Sequence, residues 1–331
     1  MLRLPLARRA LCAAMLLTLS GGLAAQIGAD PAPDFPGKPV RIIVNSGPGV
    51  STDALARMIG AHLATVWKQP VIVENKPGAS GTLGADFVAK SPADGLTLLL
   101  GVTNLVQTPF LMRKLPYDFL RDLQPVSMLA RGPNALVVPA SSPANTLAEF
   151  VTMVKSQPAK HGYGTYGQGT TAHIWGDAFR RQAGLDLVHV PFKSSAQMLT
   201  DVMGGQVSSA VPDLASAMSL IRDGKLKVLA VSGAQRHQGL PQAPTFGELG
   251  YAGLEPYGWY GVFTPAGTPA AVVHKLSAAW VAAVKTAPIH ARMTDMGLIP
   301  AADSAEVFAA TLQSDAPVWA RAIREGGIQL D

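Results

Sequence analysis

The chain has 331 residues, 48% hydrophobic and 15% charged, enough apolar mass for a large core in two domains and too little charge for a disordered chain. Its formal charge of +5 falls to +2 without residues 1–25, where Arg3, Arg8 and Arg9 stand with no acid; no basic and aromatic patch remains, which argues against nucleic acid as a partner. The single cysteine, Cys12, lies in the same stretch, so the rest of the chain has no thiol for disulfides, nucleophilic catalysis or metal binding.

In chain order, the three arginines precede an apolar run over 10–19 and the small residues Gly22, Ala24 and Ala25. This predicts a signal peptide over 1–25 and export to the periplasm. The run is shorter than the roughly 20 apolar residues of a spanning helix, and no later stretch approaches that length. Val40, Ile42, Ile43 and Val44 then form a β-branched run suited to a buried strand, broken by Asn45-Ser46-Gly47-Pro48-Gly49. Ser51, Thr52 and Asp53 follow, and the spacing of Leu55, Met58, Ile59 and Leu63 predicts a helix over 54–67. Strand, glycine loop and helix N-terminus together offer backbone N–H groups and the positive end of a helix dipole to a carboxylate or phosphate, although many such turns are glycine-rich only to reverse the chain.

The pattern recurs. A strand over 71–73 ends at a loop containing Gly78, Ala79, Ser80 and Gly81, before a helix over 83–91; a further buried strand over 96–100 ends at Gly101, Thr103 and Asn104. Residues 109–125 read as a proline-punctuated connection, and a strand over 135–138 opens a second unit. There the glycine loop over 162–171, with Tyr166, Gly169 and Thr170, leads to a helix over 172–182. Strands over 187–192, 207–211 and 228–232 follow, residues 240–269 read as irregular, and three helices close the chain. Alternation of this kind predicts parallel sheets covered on both faces, with ligand loops at the strands' carboxyl ends.

Chemically, Gly47-Pro48-Gly49 lacks the third glycine of a dinucleotide fingerprint, there is no G-x-S-x-G elbow, and seven histidines lie scattered without metal-ligand spacing, so no catalytic site, cofactor or metal is expected. His173 either braces its glycine loop or acts as a base in a secreted α/β enzyme on a carboxylate substrate, the competing reading. Lys193 either pairs with a ligand carboxylate or lies solvated at the rim. Asp213 accepts from a ligand hydroxyl or caps its helix.

Over essentially the whole length after residue 25 the chain resembles the periplasmic receptors of tripartite tricarboxylate transporters, the Bug family. The resemblance runs through Phe35-Pro36-Gly37-Lys38-Pro39, Pro48-Gly49 to Asp53-x-x-Ala56-Arg57, Asn75-x-x-Gly78-x-x-Gly81-x-x-Gly84 and Pro92-x-Asp94-Gly95. It continues through Leu115-Pro116-Tyr117-Asp118, Gly167-x-Gly169-Thr170-x-x-His173, His189-Val190-Pro191-Phe192-Lys193, Leu240-Pro241 and Pro265-Ala266-Gly267-Thr268-Pro269. It implies an α/β, two-domain periplasmic-binding-protein fold (Venus flytrap, type II) with doubly wound sheets. By analogy domain 1 spans 36–135 and 236–331, domain 2 spans 136–235, and the hinge lies near 135 and 235. It also implies capture of a small organic carboxylate for membrane permease subunits, by a monomer. Ser51, Thr52, Asp53, Ala79, Ser80, Gly81, Thr170 and Asp213 carry over as ligand contacts. The chain departs from the family at Asn45-Ser46, where relatives commonly have Pro-Phe, at Val50 and Ser194, where they have glycine, and at Tyr166. A cleft-facing Tyr166 ring would stack on an aromatic carboxylate, with Asn45 and Ser46 bonding a second polar group.

Overall fold

The computed structural model describes residues 35–330, so the expected leader over 1–25 lies outside the described residues. The opening unit is β1 (Val40–Val44), α1 (Ser51–Trp67), β2 (Val71–Asn75), a 3-10 turn at Ala79–Gly81 running into α2 (Thr82–Ala89), β3 (Thr97–Val102) and α3 (Asn104–Leu111). A short α4 (Phe119–Asp122) leads to β4 (Leu123–Gly132), which passes through Pro133 and Asn134 into β5 (Ala135–Pro139). Then come α5 (Leu147–Ser156), β6 (His161–Thr165), α6 (Thr171–Gln182), β7 (Leu187–Pro191), α7 (Ser195–Met203), β8 (Ser209–Ala210), α8 (Leu214–Arg222) and β9 (Leu226–Val231). The chain returns as β10 (Gly258–Pro265), α9 (Ala270–Lys285), α10 (Ala287–Asp295), β11 (Ile299–Asp303) and α11 (Ala305–Gly326).

These elements build two sheets. One runs β11-β4-β10-β3-β1-β2 and the other β7-β6-β8-β5-β9. The β-branched run of β1 makes it a central strand, with Val40, Ile42, Ile43 and Val44 all at 0% exposure between parallel neighbours β2 and β3. Both sheets are mixed, however, where alternation alone predicts parallel ones: β10 is antiparallel to β3 and β4, and β5 is antiparallel to β8 and β9. The cause is the crossing chain. A strand leaving for the other sheet runs toward the crevice between them, and a strand arriving from it runs away.

Three further expectations fail for identifiable reasons. The segment over 240–269, expected to be irregular, contains β10, whose glycines serve packing: a Cβ on Gly261 would meet the Phe308 ring at 2.3 Å. Gly162 and Gly164 belong to strand β6 rather than a loop, and a Cβ on Gly164 would lie 3.0 Å from Met198 and 3.1 Å from Phe192. The connection over 109–125 runs into a ten-residue strand, β4, despite Pro125.

One apolar core reaches across both sheets. It joins Ile43 and Leu99 of the first to Leu136, Val138 and Tyr163 of the second through Trp175 and Phe179 of α6 and Trp319 and Ile323 of α11. A smaller cluster, including Val137, Met198, Leu214 and Val231, belongs to the second sheet. The long α11 packs on β4, α3 and α6, so it braces both lobes.

Candidate functional site

In the first sheet β1 lies between β2 and β3, so the connections leave it in opposite directions and open a crevice at the carboxyl ends of β1 and β3. The second sheet repeats the arrangement at β6, which lies between β7 and β8. The chain after these four strands supplies Asn45 to Thr52, Asn104, Tyr166 to Thr170 and Asp213, which brings most of the expected residues to the two switch points. Contacts tie the two sides together. Gln107 of α3 donates from Nε2 to Thr171 Oγ1 of α6 at 3.1 Å, and the Tyr166 hydroxyl donates to Asn134 Oδ1 at 3.3 Å.

On the first lobe, α1, α2 and α3 all start without a side-chain cap, at Val50, Gly81 and Thr103. Their first N–H groups therefore depend on something other than a capping side chain. Beside the starts of α2 and α3 Asn45 is 4% exposed, and neither its Oδ1 nor its Nδ2 has a partner. Ser46 Oγ and Asn104 Oδ1 are likewise buried and unpartnered. Gly81 keeps this spot open: a Cβ there would stand 2.6 Å from Asn45 Nδ2 and 2.8 Å from Asn104 Nδ2. Asn104 also donates to the Ser80 carbonyl. The turn itself is left-handed, with φ of 46° at Ala79, 55° at Ser80 and 86° at Gly81. Two non-glycine residues in that region hold roughly 1–2 kcal/mol of strain each, the kind of conformation that accumulates at functional sites.

Of the α1 residues, Ser51 shares a 2.9 Å hydrogen bond with the Tyr260 hydroxyl of β10, and Thr52 is buried. Asp53 has a different job. Its carboxylate accepts from Gly49 N at 3.0 Å, Asn75 Nδ2 at 3.0 Å and Arg57 Nε at 3.1 Å. Burial works against its charge, but Arg57, the Gly49 N–H and Asn75 together hold it below the usual carboxylate range. It therefore fixes the first loop's shape.

On the second lobe, Thr170 caps α6 by accepting from His173 N and donates to Gly167 O at 2.7 Å. His173 braces the same loop: its Nδ1 accepts from Gly169 N at 3.0 Å, and its ring stacks on His189 at 3.7 Å and 6°. Tyr166 is half-buried with its ring against the core, and burial, the Asp213 charge and Tyr260 raise its pKa well above the ordinary value. Asp213 caps α8 and is drawn above the usual carboxylate range by burial, against the pull of Ser216. Lys193 is exposed beyond β7. Sequence reasoning did not single out Asn104, Asn134 or Tyr260. Asn104 carried a signal, since it follows directly on the end of a strand, whereas Tyr260 sat in a stretch without legible periodicity.

Among the described residues no helix is long and apolar enough to cross a membrane, and no group of three His, Cys, Asp or Glu is placed to hold a metal. Two α/β lobes around a crevice of this construction define the periplasmic-binding-protein class. R. palustris Rpa4515 with adipate is similar at a TM-score of 0.83 and 31% identity, covering 89% of this chain and 99% of that one. MatC (Rpa3494) from Rhodopseudomonas palustris with bound malate is similar at 0.78 and 31%, covering 87% and 100%. The chain belongs to the tripartite tricarboxylate transporter family receptors, whose sequence profile matches residues 55–328. Protein BugT of Bordetella pertussis is 31% identical over 313 residues, 94% of this chain and 95% of that protein.

Proposed function

We propose that the protein is a periplasmic receptor that captures a small organic carboxylate between its lobes and delivers it to the membrane permease of a tripartite tricarboxylate-type transporter. The observation that carries this reading is the buried, unpartnered carboxamide of Asn45 at the carboxyl end of β1, beside the starts of α2 and α3, which have no side-chain cap. N–H groups and a neutral amide hold an anion there without a cationic side chain. Adipate and malate in the two similar structures support the ligand class. On this reading residues 1–25 are removed on export and the lobes are 36–135 with 236–331 and 136–235. The contacts come from Asn45, Ser46, Ser51, Thr52, Ala79, Ser80, Gly81 and Asn104 on one side and Tyr166, Gly169, Thr170 and Asp213 on the other. His173 is committed to Gly169 and His189, which supports a bracing role over a catalytic one, and on the same reading the receptor works as a monomer.

The Tyr166 ring is packed and its hydroxyl bonded, so an aromatic cargo is one case within the class rather than a requirement. A thermal-shift screen of adipate, malate, citrate, glutamate and benzoate tests the reading. A ligand present at one hundred times its dissociation constant adds about 2.7 kcal/mol to apparent stability. Failure of every carboxylate to raise the melting temperature, or chemical turnover of one that disappears in His173→Ala, overturns it.

A further inference from the structure

The outer end of α3 carries an apolar and basic face that the carboxylate site does not use. Among the described residues Phe110 is the only Phe, Tyr or Trp that stands exposed, at 43%. Aromatic rings are the usual anchors of protein interfaces, and a lone ring left in water marks where a partner would gain most by covering it. Phe110 borders a groove of about 250 Å³ whose other wall is the end of α11, with Ile323, Arg324, Ile328 and Gln329. Pro109, also exposed, stands between this groove and a second depression that holds Met112 and Arg113.

The free charges around the groove have one sign. Arg113 and Lys114 are exposed and follow Met112, which bridges to Leu330; neither they nor Arg324 pair with an acid among the described residues. The nearby acids are already engaged: Asp122 with Arg121 at 2.7 Å, Glu325 with Arg181 at 3.7 Å, and Asp118 with the Arg121 N–H at 3.2 Å. Unpaired cations beside an apolar socket complement a segment that carries carboxylates and one apolar side chain. An anionic bilayer is a poorer match, because roughly four to eight clustered cations mark lipid-binding segments and a flat surface leaves the groove empty.

The same face depends on both lobes. α3 starts in the crevice at Asn104 and ends at the groove, where Leu111 O of the first lobe accepts from Leu330 N. Gln168 of the second lobe donates to Gln329 O, and Leu330 occupies the space beside Gly169. A shift of one lobe against the other therefore alters the shape of the groove, so a partner seated there meets a different surface on the open and the closed receptor.

We propose that this face docks an acidic segment of the receptor's membrane partner, whose carboxylates meet Arg113, Lys114 and Arg324 while an apolar side chain packs on Phe110 and fills the groove. This rests on the receptor reading above and adds the surface through which delivery takes place.

The test uses the bacterium that produces the protein, with its own copy deleted and variants supplied in its place. Phe110→Ala and the double change Arg113→Glu with Lys114→Glu lie outside the contacts assigned to the cargo. Calorimetry of the purified variants with adipate and malate should therefore give dissociation constants within about twofold of the unaltered protein. Cellular uptake of whichever labelled acid binds should nevertheless fall about tenfold or more in both. Separately, irradiation of Phe110→p-benzoylphenylalanine in whole cells should crosslink position 110 to an acidic segment of an integral membrane protein, and the double charge reversal should abolish that crosslink. Uptake that stays within about twofold of normal, variants that lose affinity for the acid, or a crosslink only to lipid or within the chain itself overturns the docking face and leaves the receptor reading standing. If neither acid binds the unaltered protein, the receptor reading for these acids falls, and the crosslink, which needs no known cargo, still decides the docking face.

Discussion

The stack of His173 on His189 makes stability depend on pH in a defined direction. Burial lowers the pKa of both rings, and a proton on one opposes a proton on the other, with His189 brought to about 4. In the unfolded chain both rings take protons near pH 6.5, whereas the native pair resists them. Stability is therefore full above about pH 6.5 and declines as pH falls toward 4. Urea unfolding at pH 7.5 and 5.0 should show a loss on the order of 1 kcal/mol more in the unaltered protein than in His189→Phe, after allowance for solvent screening. Equal losses in the two proteins would remove the pair as the cause. At the same scale, Gly81→Ala pushes a methyl group against the amides of Asn45 and Asn104 from a backbone at φ +86°. It should destabilise by about 1–3 kcal/mol and weaken carboxylate binding. Unchanged affinity would mean that the Asn45 spot is not part of the site.

Among the elements, the end of α11 reaches the binding loop of the second lobe. Leu330 N donates to Leu111 O at 2.8 Å, Gln168 Nε2 donates to Gln329 O at 3.4 Å, and the space a Cβ on Gly169 would need is filled by Leu330 at 2.7 Å. Deleting residues 327–331 should loosen the loop, raise hydrogen exchange over 166–171 and weaken carboxylate binding by about tenfold. Unaltered exchange there would show that the loop stands without the tail. The unit of β1 and α1 was legible in sequence because a β-branched run stops at a glycine loop and apolar residues then recur at helical spacing. The capping of α8 by Asp213 was legible for a similar local reason. β10 was not, because Gly258 and Gly261 mark close packing rather than a turn. The pairing of Ser51 with Tyr260 joins residues 209 apart, and no local pattern reports a contact of that kind.

For the whole molecule, the apolar core that links both sheets through α6 and α11 predicts a single cooperative unfolding transition rather than one per lobe. Calorimetry should give a van't Hoff enthalpy close to the measured one, and two resolved transitions would contradict the shared core. Closure on a ligand is then expected to bend the crossings at Pro133-Asn134 and between Ser232 and Gly258 instead of parting two separate bodies. Small-angle scattering should report a smaller radius of gyration at saturating carboxylate, and no change on going from an open ligand-free state would count against the hinge.

The order of strands along the chain also sets an order of assembly. Every strand of the second sheet lies within Ala135–Val231, whereas the first sheet stays incomplete until β10 and β11 arrive, with Tyr260 pairing beside Val102. A chain emerging N-terminus first must hold β1, β2 and β3 beside an unfilled edge while the second lobe folds, because distant pairings form slowly. A circular permutant that joins residue 331 to residue 36 and opens the chain near residue 236 would make both sheets contiguous in sequence. Its refolding should outpace that of the natural order, at the expense of one of the two connections between the lobes.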